Sequence, residues 1–158
     1  MAQSAKPSAV KLELTYADRE RKLTASLVND LPRAIEVVAG DLQPCELALT
    51  GTRGAAAAAD SRNVRKYDTT VYRRSFQQVP SGGRLVLVER SFEPHGASAW
   101  SLSWGPFLFE NLAPGPWEAV ATFDSLLDHW FDEESRTMQA NRNAWTGQLR
   151  SNAVQCRL

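Results

Sequence analysis

Apolar and polar residues alternate without error from Val10 through Leu12 and Leu14 to Tyr16. A period of two puts every second side chain on one face, the pattern of a half-buried β-strand. The alternation returns in Leu23-Thr24-Ala25-Ser26-Leu27, in Cys45-Glu46-Leu47-Ala48-Leu49 and in Trp100-Ser101-Leu102-Ser103-Trp104. Turn formers separate the runs: Asp18-Arg19-Glu20-Arg21, Gly40-Asp41, Gly51, Pro94-His95-Gly96 and Gly105-Pro106. Breaks this close together leave little room for helices and predict short antiparallel strands. Ile35–Val38, Phe76–Val79 and Phe107–Phe109 read as further strands, and Thr69–Tyr72 is β-prone. Leu85-Val86-Leu87-Val88 is a continuous apolar run and predicts a central strand covered on both sides. Trp117, Ala119, Ala121 and Phe123 share a face, and Leu149 with Ala153 to Leu158 supplies a final strand expected to lie near the first. The expected fold is all-β, an antiparallel sandwich of about seven to nine strands with one short helical insertion.

That helix is predicted over Asp124–Arg136. Ser125 and Asp128 have the spacing of a capping box, and Leu126, Leu127, Trp130 and Phe131 fall on one side. Residues 51–66, with Ala55 to Ala59 between glycine and aspartate, read as a surface loop with room for a helical turn. Residues 1–9 are small and polar, a flexible tail; 10–158 form a single domain with insertions near 51–75 and 124–144. A length of 158 residues suits one domain. The first residues lack the apolar core of a signal peptide, and the start is compatible with a cytoplasmic or a mature secreted terminus.

Three turns carry a resemblance. Asn29-Asp30-Leu31-Pro32 leads into a short apolar strand, Val79-Pro80-Ser81-Gly82-Gly83 precedes another, and Leu112-Ala113-Pro114-Gly115-Pro116-Trp117 opens a strand ending at Phe123. With Trp145-Thr146-Gly147-Gln148-Leu149-Arg150-Ser151-Asn152 near the end, the chain resembles the immunoglobulin-like or fibronectin-III-like sandwiches of bacterial extracellular proteins, among them protease propeptides and small proteinase inhibitors. The resemblance covers roughly residues 10–158 and implies an Ig-like β-sandwich, a binding role and a secreted or periplasmic setting. The chain departs from antibody-type domains in lacking a Cys…Trp…Cys spacing, and fold analogy transfers no activity.

Chemistry is sparse. Lys+Arg and Asp+Glu are both 18, so the net charge of +0 creates no global field for nucleic acid or an anionic membrane. No apolar run approaches the roughly 18 residues of a membrane span. Glycine-rich phosphate loops are absent, so no cofactor is expected. Cys45 and Cys156 lie outside any CxxC and, with two histidines, make a poor zinc set. Both alternate with apolar neighbours, which leaves two readings: buried free thiols, or one long-range disulfide in an oxidising compartment. His95 stands in a turn. His129 with Asp128 supports only a thin hydrolase reading, and neither a metal site nor a catalytic residue is expected.

Two charged stretches and the tryptophans remain. Arg62, Arg65, Lys66, Arg73 and Arg74 form a basic stretch, and Asp128, Asp132 and Glu133 belong to an acidic one around Trp130. Carried on inserted loops, these residues point to a complementary protein surface. The expected function is a non-catalytic module that binds another protein, with a protease inhibitor or propeptide-like regulator as the version the resemblance implies. The alternative is a carbohydrate-binding module stacking sugars on Trp100, Trp130 and Trp145. Partner identity and oligomeric state stay open.

Overall fold

A computed structural model describes residues 9–51, 54, 56–60 and 70–158. The chain is all-β among these residues. Strands β1 (Val10–Ala17), β2 (Lys22–Asn29), β3 (Ile35–Val38) and β4 (Glu46–Gly51) come first. A 3-10 turn at Arg73–Ser75 leads into β5 (Phe76–Val79), β6 (Arg84–Ser91), β7 (Glu93–His95), β8 (Ala99–Trp104) and β9 (Phe107–Leu112). Then follow β10 (Pro116–Ser125), β11 (His129–Asp132), β12 (Thr137–Ala140), β13 (Gly147–Arg150) and β14 (Val154–Arg157).

β1, β2 and β6 form one antiparallel sheet in that order. The ten-residue β10 organises a second: β4 pairs along one edge, and β13 and β14 share the other. β7, β8 and β9 form a third, and β3 pairs with β5. Inward residues of these sheets meet in one core, including Leu12, Leu14, Leu23, Leu27, Leu49, Trp104, Phe109 and Phe123. Burying such side chains contributes about 1.5–3 kcal/mol each. The arrangement is consistent with a β-sandwich. A smaller cluster of Val38, Val71 and Phe76 lies apart from this core.

The predicted strand faces hold at β1, where Val10, Leu12 and Leu14 are buried, and at β10, where Ala119, Ala121 and Phe123 are. The first and last strands are neighbours: the Tyr16 hydroxyl donates to the Arg157 carbonyl at 3.3 Å. Two of the three turns named above are tied together. The buried Asn29 side chain donates to the Arg33 and Val79 carbonyls at 2.9 and 3.0 Å and accepts from the Leu31 amide at 3.0 Å. The Asn29 backbone exchanges bonds with Gly83 and Gly82 at 2.9 and 2.8 Å. An asparagine fits here because its amide supplies donors and an acceptor at one point.

Three expectations are corrected. Leu85–Val88 is not a central strand: β6 is the edge of its sheet and Val86 is 51% exposed. A bulge opposite Ala25 and Ser26 leaves Leu87 without a cross-strand partner, the kind of irregularity that suits an edge. The final strand is two short ones, β13 and β14, because Ser151 breaks the ladder and its hydroxyl accepts from the Ala121 amide at 2.8 Å. Within the surface loop expected there, the Ala57 amide donates to the Leu49 carbonyl at 2.9 Å, which prolongs pairing on β4.

The third correction concerns Asp124–Arg136, which is no helix. β10 runs on through Asp124 and Ser125, and β11 and β12 form a hairpin. The Ser125 hydroxyl donates to the Trp145 carbonyl at 2.8 Å instead of capping a helix. The amides of Leu126 and Leu127 donate to the side-chain oxygen of Gln43 at 2.7 and 3.3 Å. Asp132 then holds the tight turn, accepting from the Glu134 amide at 3.1 Å and the Ser135 hydroxyl at 2.9 Å. Arg136 takes a φ of 56° to complete it. Local capping signals lose here to partners distant in sequence.

Candidate functional site

The region where the expected binding residues gather begins at the end of β10. Gln43 is buried and anchors it from below. Its side-chain nitrogen donates to the Val38 carbonyl at 2.7 Å while its oxygen takes the two leucine amides. The chain therefore leaves β10 as a fixed ridge, Leu126-Leu127, before it turns into β11. Leu127 packs on the small cluster of Val38, Val71 and Phe76, whereas Leu126 is 67% exposed. The Asn141 amide donates to the Asp128 carbonyl at 2.7 Å and closes the base of the hairpin.

Alternation then gives the hairpin two faces. Trp130 packs against Val38, Val71 and Phe76. Phe131 pairs with Met138, which is 59% exposed, and the Phe131 amide donates to the Val71 carbonyl at 2.7 Å. Two concavities flank the ridge. One, of about 410 Å³, lies among Val71, Leu126, Leu127, His129, Phe131 and Met138. The other, of about 260 Å³, lies between the ridge and the segment Leu42–Pro44, with Glu46 and Asp124 on its rim.

The charged residues expected to meet a partner also have contacts within the chain, where described. The Arg73 guanidinium pairs with Glu36 at 2.8 Å, and the Glu36 side chain is only 11% exposed. Arg74 reaches Glu133 at 3.7 Å and stacks on the Tyr72 ring at 4.2 Å. Arg73, Arg74, Tyr72 and Glu133, with Trp130 and Asp132, line an open depression of about 660 Å³. Asp128 bonds His129 at 2.6 Å. Thus the structure brings Arg73, Arg74, Asp128, Trp130, Asp132 and Glu133 to one hairpin and its flank; Arg62, Arg65 and Lys66 lie outside the described residues.

The tryptophans singled out for sugars are spread apart. Trp100, in β8, lies under the Arg21 guanidinium at 4.5 Å and packs on the main core. Trp130 faces the small cluster. Trp145 packs on the main core, over Gly147, where a Cβ would come within 2.7 Å of the ring. All three are half-buried.

The cysteines are separate, free and buried. Cys156 sits opposite Trp117, while Cys45 precedes Glu46, which sits opposite Thr122, so they flank distant parts of β10 on opposite edges. A disulfide needs Cα atoms within about 7 Å, and this placement excludes one. Burial pushes both thiols up to about 12. At neutral pH they stay protonated, which makes them poor nucleophiles. Among the described residues no group of three or more His, Cys, Asp or Glu could hold a metal ion, and no helix is long and apolar enough to cross a membrane. A further groove of about 390 Å³ runs beside the β6 edge, walled by Ala39–Cys45 and the Gly105-Pro106 turn.

Sequence reasoning missed Gln43, Leu126 and Met138. Gln43 carries no local signal, since its partners lie 82 to 84 positions onward as well as at Val38. The adjacent leucines were a signal: a strand ending in two apolar residues leaves one of them facing outward. Neither the family models nor the curated proteins searched contain a match to this chain.

Proposed function

We propose that the chain is a non-catalytic protein-binding module, an Ig-like β-sandwich that presents the β11–β12 hairpin and the Leu126-Leu127 ridge to another protein. One observation carries the reading. Of the three exposed large hydrophobics among the described residues, Leu126 and Met138 line the same concavity. Exposed apolar side chains gathered around a hollow on a rigid scaffold mark an interaction site more often than scattered ones do. The scaffold is rigid at this point because Gln43 fixes the ridge. The resemblance to propeptides and inhibitors makes a protease the partner to try first.

A photo-crosslinking side chain at position 138, with one at the equally exposed position 86 as control, tests this. In extract and culture fluid of the source, position 138 is expected to capture one dominant protein that position 86 does not. Equal capture at both positions, or none at 138, would remove the hairpin as a docking surface. Inhibition of a purified captured protease would establish the regulatory version; undiminished proteolysis would reduce the claim to binding.

A further inference from the structure

The ridge is bordered by charge of one sign. Glu46 and Asp124 stand on the rim of one concavity and Asp128 on that of the other. Among the described residues, neither hollow is lined by a lysine or an arginine. Glu46 and Asp124 form no ion pair within the described chain, in contrast to Arg74 and Glu133 around the corner. Leu126 stands between the two hollows and belongs to both linings, with Met138 beyond it. An apolar ridge bordered by carboxylates, two of them without an ion pair among the described residues and the third, that of Asp128, bonded only to His129, selects what can cover it. A neutral apolar partner would strand the carboxylates beside it without counter-charge, and an acidic one would be repelled.

Resting on the binding role proposed above, we infer that the ridge takes a partner segment in which an apolar side chain is flanked by lysine or arginine. The apolar residue covers Leu126 and Met138 and supplies most of the affinity. The basic residues meet Glu46, Asp124 and Asp128 at the solvated rim, where they govern orientation, association rate and choice of partner more than strength.

The test uses the isotope-labelled full chain and three synthetic twelve-residue peptides: alternating leucine and lysine, leucine and glutamate, and serine and lysine. The leucine–lysine peptide is expected to shift the amide resonances of residues 124–131 and 137–140, to weaken with added salt, and to bind about tenfold less well to Leu126→Asp. Glu46→Lys with Asp124→Lys should reduce binding severalfold while the amide spectrum shows the fold intact. Equal binding by leucine–glutamate or serine–lysine would overturn the inference, as would shifts mapping elsewhere. Self-association through the ridge, seen as a concentration-dependent mass that Leu126→Asp abolishes, would overturn it in favour of a second copy. The crosslink at position 138 separates the two levels. A captured protein whose adduct lies in an acidic segment keeps the binding role and rejects this partner chemistry, whereas no capture rejects both.

Discussion

The hairpin's two faces differ in how they are completed. On the Trp130 face, ring, guanidinium and carboxylate find partners within the chain: Trp130 on Val38, Val71 and Phe76, Arg73 on Glu36, Arg74 on Tyr72 and Glu133. On the Met138 face, Met138 and Leu126 stand exposed around a hollow that, among the described residues, no lysine or arginine lines, and Asp128 on its border bonds His129. Both faces are made from the same eight strand residues, so alternation alone assigns their roles. The charge-rich side, which attracts attention in the sequence, pairs Arg73 and Arg74 within the chain. The plainer side leaves Leu126 and Met138 exposed.

Substitutions that break this contrast rank by how much each face depends on the chain. Gln43→Leu removes the acceptor of two amides and the donor to Val38, leaving buried polar groups unpaired; a loss of about 3 kcal/mol in denaturant unfolding is expected. Trp130→Ala should cost about 2 kcal/mol, below the usual range for a buried tryptophan because the ring is only partly buried. Met138→Ala, on the other face, should stay within about 0.5 kcal/mol; a cost equal to that at Trp130 would show that both faces are structural. Arg73→Ala strands the mostly buried Glu36 carboxylate and should cost about 1–2 kcal/mol. Arg74→Ala removes only an exposed pair and should be near neutral, under about 0.5 kcal/mol, when measured beside it.

The thiols give a comparison of their own. Their pKa is raised from 9.0 to about 12, so the fold favours the protonated form. Stability should be fully present below pH 9 and fall as pH rises from 9 toward 12, with a shallower slope in Cys45→Ala. In the native protein at pH 7 a thiol reagent should label neither cysteine, and in urea both. Rapid native labelling would show that the sites open far more readily than their packing implies.

How much of this was legible follows from where each group finds its partner. β1 and the β10 interior could be read because alternation is local and its faces are decided by the core. The Asn29 turn could be read as a turn, yet nothing nearby showed that its side chain would fasten the Val79–Gly83 turn about fifty positions on. Asp124–Arg136 was misread for the same reason: a capping pattern is a local offer, and Gln43 made a better one from afar. The charged stretches were visible as composition, but pairings such as Arg73 with Glu36 exist only after β3 and the 3-10 turn are brought together. The adjacent leucines signal that one of them faces outward, but which one, and what surrounds it, is a property of the assembled surface.

The Tyr16–Arg157 neighbourhood has a companion at Asn152, whose side-chain amide accepts from the Leu14 amide at 3.1 Å and donates to the Leu14 carbonyl at 2.9 Å. One amide thereby imitates a strand residue on the outer edge of β1. The two residues are 138 positions apart. During synthesis from the ribosome, β1 and β2 can pair early, but their open edge waits until the long segment up to Asn152 has emerged. For that interval the nascent chain carries a bare strand edge, the kind of surface that chaperones hold and that neighbouring chains on a polysome can pair with. Slowing translation before Asn152 should therefore raise aggregation even though the finished fold is unchanged.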